Sequence, residues 1–360
     1  MKVVFHADDF GIDAEQSRAI LSCAEGGALN STSVMVTSPC FEECARLLDA
    51  RPEGVRIGVH LNLVEGPCCA DPASIPLLVD GRGMFRRGFA ELLARTEAPG
   101  SEELRRQIGL EVAAQVARFV GRFPEEASRL RVDGHQHFQL IPAVFAATLA
   151  AVREGGFHLE YLRIPAEPTA PFLKPAILAS IRPINWAKHL VLNWCWGRDR
   201  RLLADYEEVS ALFCGVLFSG SMSEERVRAV FPAYARLAEE RGMGIEFLFH
   251  PGGLDDPSRC LDPTLKGFPE FYLSGGRDVE RRALMALGPG GSALLDGGAR
   301  GRAQTRGRRS RRGRGRPWRR RVRRRTCATG AYGSMRSRHS SPSACSAWSS
   351  GASGSTPSGI

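Results

Sequence analysis

Aspartates and histidines recur at the ends of short apolar runs, and these two residue types together can hold a divalent ion. Val3–Ala7 runs into Asp8-Asp9, Arg56–Leu61 carries His60, and Leu130–Asp133 leads into Gly134-His135-Gln136-His137. Tyr161–Ile164 contains Arg163, Ala211–Leu217 precedes Ser219-Gly220, and Gly244–His250 stops before Pro251-Gly252. Each has a structural alternative when taken singly. Paired acids cap helices, a lone histidine packs in a turn, and an arginine pairs with a structural carboxylate. If residues 135–137 are extended, His135 and His137 point to the same side. Four histidines and three aspartates gathered on one rim point instead to a metal or acid–base site. Imidazole and carboxylate ligands suit Zn²⁺ or Mg²⁺ with positions left open for water and substrate. Such an ion polarises a carbonyl and lowers the pKa of water. A spare carboxylate can take the water's proton, and a spare imidazole can protonate a leaving amine. That set suffices to hydrolyse an amide. Neither GxSxG nor GxxxxGK[ST] occurs.

The elements that must position these groups are legible. Seven strands alternate with helical patterns, which predicts a parallel sheet, closed as a barrel or open. Strand ends are where such folds assemble their sites. Asp13 is placed to cap a helix ending near Gly26-Gly27, and Ser101 opens a second that carries Ile108, Val112, Val116 and Phe119. Pro142–Glu154, Ser223–Arg241 and Arg277–Leu287 read as further helices, with Pro232 expected to kink or break its own. Residues 166–210 form a substrate-facing excursion, where Trp186, Trp194 and Trp196 are either sugar-stacking surfaces or core. An eighth strand is expected after Leu287.

The chain changes character there instead. Residues 288–360 hold 17 Arg, no Lys and one acid, whereas residues 1–287 hold 32 basic and 38 acidic residues. The overall net charge of +10 therefore belongs to the tail. Two divisions follow: a catalytic domain over 1–287, and a low-complexity tail over 288–360 expected to be disordered. Arg outnumbers Lys 45 to 4 in the whole chain. Composition favours out-of-frame translation of GC-rich DNA over a nucleic-acid-binding arm. No apolar run approaches the roughly 18 residues of a membrane span. The cysteines show neither a CxxC pair nor a secreted disulfide framework, so a cytoplasmic setting and no membrane partner are expected. Oligomeric state stays open, a homo-oligomer included.

The motifs resemble those of the YdjC-like (ChbG-type) carbohydrate deacetylases. The matching segments are 6–11 (His-Ala-Asp-Asp-Phe-Gly), 30–36, 58–63 (Gly-Val-His-Leu-Asn-Leu), 133–137 (Asp-Gly-His-Gln-His), 162–165 and 249–252 (Phe-His-Pro-Gly). The hopanoid-associated relatives share the layout, including a stretch like 75–80. The resemblance covers residues 2 to about 287. It implies a distorted parallel (β/α) barrel, an α/β fold, that removes the N-acetyl group from a sugar or small oligosaccharide. It implies Asp9, His60 and His135 as ligands of Mg²⁺ or Zn²⁺ and Asp8 as the base. It also implies His250 and His137 as proton donor or substrate contact, Arg163 as the group that holds Asp8, and Asp133 as support for the His135 segment. Another amide or an ester is the alternative substrate for the same site. Gly134 stands where the family often has Ser, and where the family continues with a last strand and helix this sequence enters its Arg-rich stretch, so a barrel without that last βα unit is the expectation.

Overall fold

The computed structural model describes residues 1–292 and 294, apart from 205, 207, 208 and 266. The strands are β1 (Val3–Phe10), β2 (Ser31–Val34), β3 (Arg56–Leu61), β4 (Leu130–Gly134), β5 (Leu159–Leu162), β6 (Leu212–Cys214) and β7 (Ile245–Phe249). The helices are α1 (Ala14–Gly26), α2 (Phe41–Leu47), α3 (Phe89–Glu97), α4 (Glu102–Arg122), α5 (Pro142–Glu154), α6 (Pro175–Leu178), α7 (Pro183–Asp199), α8 (Glu224–Arg241), α9 (Phe268–Tyr272) and α10 (Gly276–Leu287). Asp13 caps α1 by accepting from the backbone N–H groups of Glu15 and Gln16. Pro232 neither ends nor interrupts α8.

All seven strands run parallel in the order β5-β4-β3-β2-β1-β7-β6. Tyr161 on β5 donates its hydroxyl hydrogen to Glu246 on β7, five places away in that order. Such a contact requires the sheet to curl until its inner face meets itself. The two edges approach as well, since Leu162 N–H donates to the Val209 carbonyl at 2.7 Å. The result is a curled half-barrel with helices outside. Among the described residues no strand follows β7, so the expected eighth is not found there. The Arg-rich stretch, with its expected disorder and its nucleic-acid alternative, lies outside the described residues.

Strand residues alternate between two environments. Val4, Phe5, Ala7, Ile57, Val59, Leu130, Val132, Phe247 and Phe249 are buried apolar residues of the strands. His6, Asp8, Ser31, Ser33, His60, Arg131, Asp133 and Glu246 interleave with them and are buried too. The barrel's interior is therefore a charged, hydrogen-bonded network rather than stacked aliphatic layers, and the apolar core lies largely between sheet and helices. No described helix is long and apolar enough to cross a membrane.

Candidate functional site

Consecutive strand residues point to opposite faces, so Asp8 and Asp9 should diverge. The β1–β2 register shifts between Ala7 and Phe10, and Asp9 adopts φ +69°. This bulge turns both carboxylates into one site. A left-handed aspartate costs of order 1 kcal/mol, and such residues concentrate at functional positions.

Asp9, His60 and His135 place one donor atom each within 4.8 Å of one another, all buried. Asp9 Oδ1 lies 3.1 Å from His135 Nδ1 and 3.6 Å from His60 Nε2. Asp9 Oδ1 and His60 Nε2 have no hydrogen-bond partner, which is costly for buried polar atoms unless a cation joins them. The far side of each ligand is engaged. His60 Nδ1 sits 2.6 Å from Asp133 Oδ1, and His135 Nε2 sits 2.9 Å from Glu65 Oε1. Arg277 Nη2 donates to Asp9 Oδ2 at 2.6 Å, and the Tyr272 hydroxyl donates to Glu65. Carboxylate-backed imidazoles are how proteins orient metal-binding histidines. Burial alone would hold both histidines down. Asp8 and Asp133 around His60, and Asp9 and Glu65 around His135, reverse that and push them up to about 10 and about 9. The surrounding carboxylates thus favour positive charge in this pocket.

Asp8 stands beside this trio. Burial pushes its carboxyl up, but Arg163 and His60 prevail and hold it well below the usual carboxylate range. Arg163 lies one residue past the end of β5, on the rim. It contacts Asp8 at 2.8 Å, Asp133 at 3.1 Å and Glu246 at 2.7 Å. A second cluster, His6, Asp8 and Asp133, also has ligand-like spacing. Arg163 already supplies its cation, so no second ion is needed there.

His250 directs Nε2 towards Asp8 Oδ2, 4.0 Å away. Glu280 on α10 holds its other side: Oε2 accepts the His250 backbone N–H and lies 3.3 Å from Nδ1, while Oε1 accepts the Met222 N–H. His137 departs from expectation. Gln136 and His137 have φ +49° and +62°, so the segment is a turn and not the extended strand that would put His135 and His137 on the same side. His137 packs edge-on against Phe213 at 5.5 Å. Burial and the nearby Arg163 hold its pKa down, to about 3, with Asp8 opposing them. Asp133 backs His60, and the support expected of it for His135 comes from Glu65. A Cβ on Gly134 would meet Gln139 Oε1 at 2.6 Å, so the Ser of relatives needs Gln139 to move. Trp196 packs on Phe145 and Trp186 on His189, while Trp194 faces outward.

Sequence reading missed Glu65, Glu246, Tyr272, Arg277 and Glu280. Glu65, three residues after Asn62 in a polar loop, carried a weak signal. The others sit inside strands or helices with no local signature. A cavity of about 940 Å³ opens at the other end of the barrel, lined by Lys2, Arg56, Arg131 and Gly244, away from this chemistry.

The family model described as YdjC-like protein matches residues 2–286. A carbohydrate deacetylase of Brevibacillus brevis is 31% identical over 163 residues, 45% of this chain and 59% of that protein. A human carbohydrate deacetylase is 32% identical over 173 residues, 46% of this chain and 49% of that protein. A chitooligosaccharide deacetylase of Klebsiella pneumoniae is 28% identical, covering 44% of this chain and 58% of that protein. The chain thus spans about half the length of the curated relatives it matches. A 1.70 Å crystal structure of an Enterococcus faecalis V583 protein superposes with TM-score 0.52 at 20% identity, over 79% of this chain and 90% of that one, which shows a shared fold. With the family model spanning most of its length, this chain belongs to the YdjC-like family.

Proposed function

We propose that this protein is a metal-dependent hydrolase that removes the N-acetyl group from a sugar or small oligosaccharide. One observation carries the reading: a buried Asp9–His60–His135 trio whose donor atoms converge within 4.8 Å of one another, flanked by the Asp8 carboxylate. The names of the relatives supply the substrate class. Formal charge supports the cation. Among the buried carboxylates Asp8, Asp9, Glu65, Asp133 and Glu246, Arg163 pairs with Asp8, Asp133 and Glu246, and Arg277 pairs with Asp9. The harder Mg²⁺ and the borderline Zn²⁺ both suit one carboxylate and two imidazoles.

A bound divalent ion would polarise the acetyl carbonyl and acidify water. The chain's own groups supply the rest. Asp8 accepts a proton from water as its oxygen attacks the carbonyl carbon. Arg163 keeps Asp8 ionised and fixes its direction. His250 delivers a proton from Nε2 to the departing nitrogen as the C–N bond breaks, which leaves acetate and the free amine. Glu280 holds the His250 ring through Nδ1 and thereby leaves Nε2 to face the site. His137, kept neutral, serves as a hydrogen-bond partner for substrate rather than as the acid. The unit responsible is residues 1–287, working in the cytoplasm.

The test is acetate release from N-acetylglucosamine oligomers by chelated enzyme, then after Zn²⁺ or Mg²⁺ is restored. Restored metal should recover turnover on N-acetyl sugars and far less on O-acetyl esters. Equal rates with and without metal would remove the basis of the proposal.

A further inference from the structure

The outward face of α7 is apolar where a surface helix is ordinarily polar. Ile184, Leu190, Val191 and Trp194 are 52%, 65%, 40% and 51% exposed. Their spacing puts them on one side of the helix with Ala187. Asn185, His189, Leu192 and Cys195 bury the opposite side. Leu173 and Leu178 before α7, and Leu202 after it, extend the exposed apolar surface.

This surface is also basic. Lys174, Arg182, Lys188, Arg198, Arg200 and Arg201 are the basic residues of 173–204, whose one acid, Asp199, is buried; Asp205, Glu207 and Glu208 follow in the sequence. Yet residues 1–287 as a whole hold more acids than bases. Positive charge has been gathered around the apolar stripe. Arg198 lies over the Trp194 ring at 5.1 Å and pairs with Glu97 at its margin.

We propose that this face docks on an anionic lipid surface. Two other occupants carry the wrong charge. A second copy seated on the same face would bring Lys174, Arg182, Arg200 and Arg201 against their own like. The chain's own C-terminal stretch contributes 17 Arg against one acid. A bilayer surface supplies what both lack: anionic headgroups for Lys and Arg, and an apolar layer within reach of Leu, Ile and Trp. A helix of 17 residues lying flat makes this contact without spanning anything. Because α7 packs against the 135–140 turn, docking would hold the rim of the site close to the headgroups. The inference does not depend on the proposed hydrolysis.

The test is flotation of the full chain with vesicles of phosphatidylglycerol and phosphatidylcholine in equal parts, and of phosphatidylcholine alone. Binding should favour the anionic vesicles and weaken with salt. Trp194 emission, taken as the difference between wild type and Trp194→Phe, should shift to the blue. Leu190→Glu/Val191→Glu should abolish that shift and weaken binding at least tenfold, with an unchanged thermal midpoint because both side chains are exposed. Arg182→Ser and Arg200→Ser should each cost about fivefold, the equivalent of ~1 kcal/mol per basic residue. If the double variant floats as well as wild type, the Arg-rich C-terminus is the binder and the proposal fails. It fails equally if wild type ignores vesicles and light scattering shows a dimer that the double variant abolishes, or if only an acidic protein binds the stripe.

Discussion

Asp9 reaches His60 and His135 because its backbone turns left-handed, and Arg277 then holds the oxygen that faces away from them. Arg277 comes from α10, 268 residues further along the chain. It is buried against the rings of Phe271 and Tyr272. Arg277→Met keeps most of that packing and removes the donor to Asp9 Oδ2. Partners of this kind are worth 10- to 100-fold in metal affinity, so titration calorimetry should show a loss of about that size. Affinity equal to wild type would mean that Asp9 needs no such hold. Glu280→Gln addresses the other end of the site. It should leave metal affinity intact and lower kcat by about 10- to 100-fold, with KM little changed. The His250 ring nitrogens should shift in ¹⁵N spectra, because the carboxylate that fixes the tautomer is gone. A fall in metal affinity instead would make Glu280 part of the metal site.

At the scale of elements, the strands and the main helices were legible in the sequence, because apolar runs end in polar residues and caps are local. The positions of Asp8, Asp9, His60, His135 and His250 followed, since each lies in or beside a strand. What was not legible depends on backbone sign or on distance along the chain. Nothing in Asp8-Asp9 announces a bulge, and Gln136-His137 gives no warning of two left-handed residues in a row. Glu280 and Tyr272 meet the site only through tertiary packing. The excursion between β5 and β6 shows the same limit. Glu167, buried, accepts backbone N–H groups from Gly215, Val216 and Leu217 and so ties the excursion to the end of β6. Glu167→Ala orphans three buried donors and should cost about 3 kcal/mol, read as a drop in denaturation midpoint. A loss under about 1 kcal/mol would show that water replaces the carboxylate. Asp199, at the end of α7, is the opposite case. Its Oδ2 is buried without a partner. Burial pushes its pKa up to about 7, Arg198 opposing and Glu97 adding to it. A carboxyl raised in the folded state is well tolerated below its unfolded pKa and destabilises as pH climbs towards the folded one. Asp199→Asn should therefore raise the melting temperature at pH 8 and change it little at pH 4. An equal gain at both would disprove the assignment.

Over the whole molecule, the barrel commits its interior to charge. Arg163 and Glu246 are fully buried, and Arg163 bridges Asp8, Asp133 and Glu246. The site and the fold therefore share one network. Arg163→Met would leave three buried carboxylates short of a partner, and such losses cost about 3–5 kcal/mol. Stability and activity should fall together in that variant, in contrast to Glu280→Gln. Among the described residues the β5 end meets the segment before β6 through the Leu162–Val209 hydrogen bond, so the charged interior carries much of the closure. The most direct test of the central claim is metal content and acetate release measured side by side on wild type and Asp8→Asn. The prediction is equal metal in both proteins and a fall in turnover of about 10²- to 10⁴-fold in the variant. Undiminished turnover by Asp8→Asn at full metal content would contradict it.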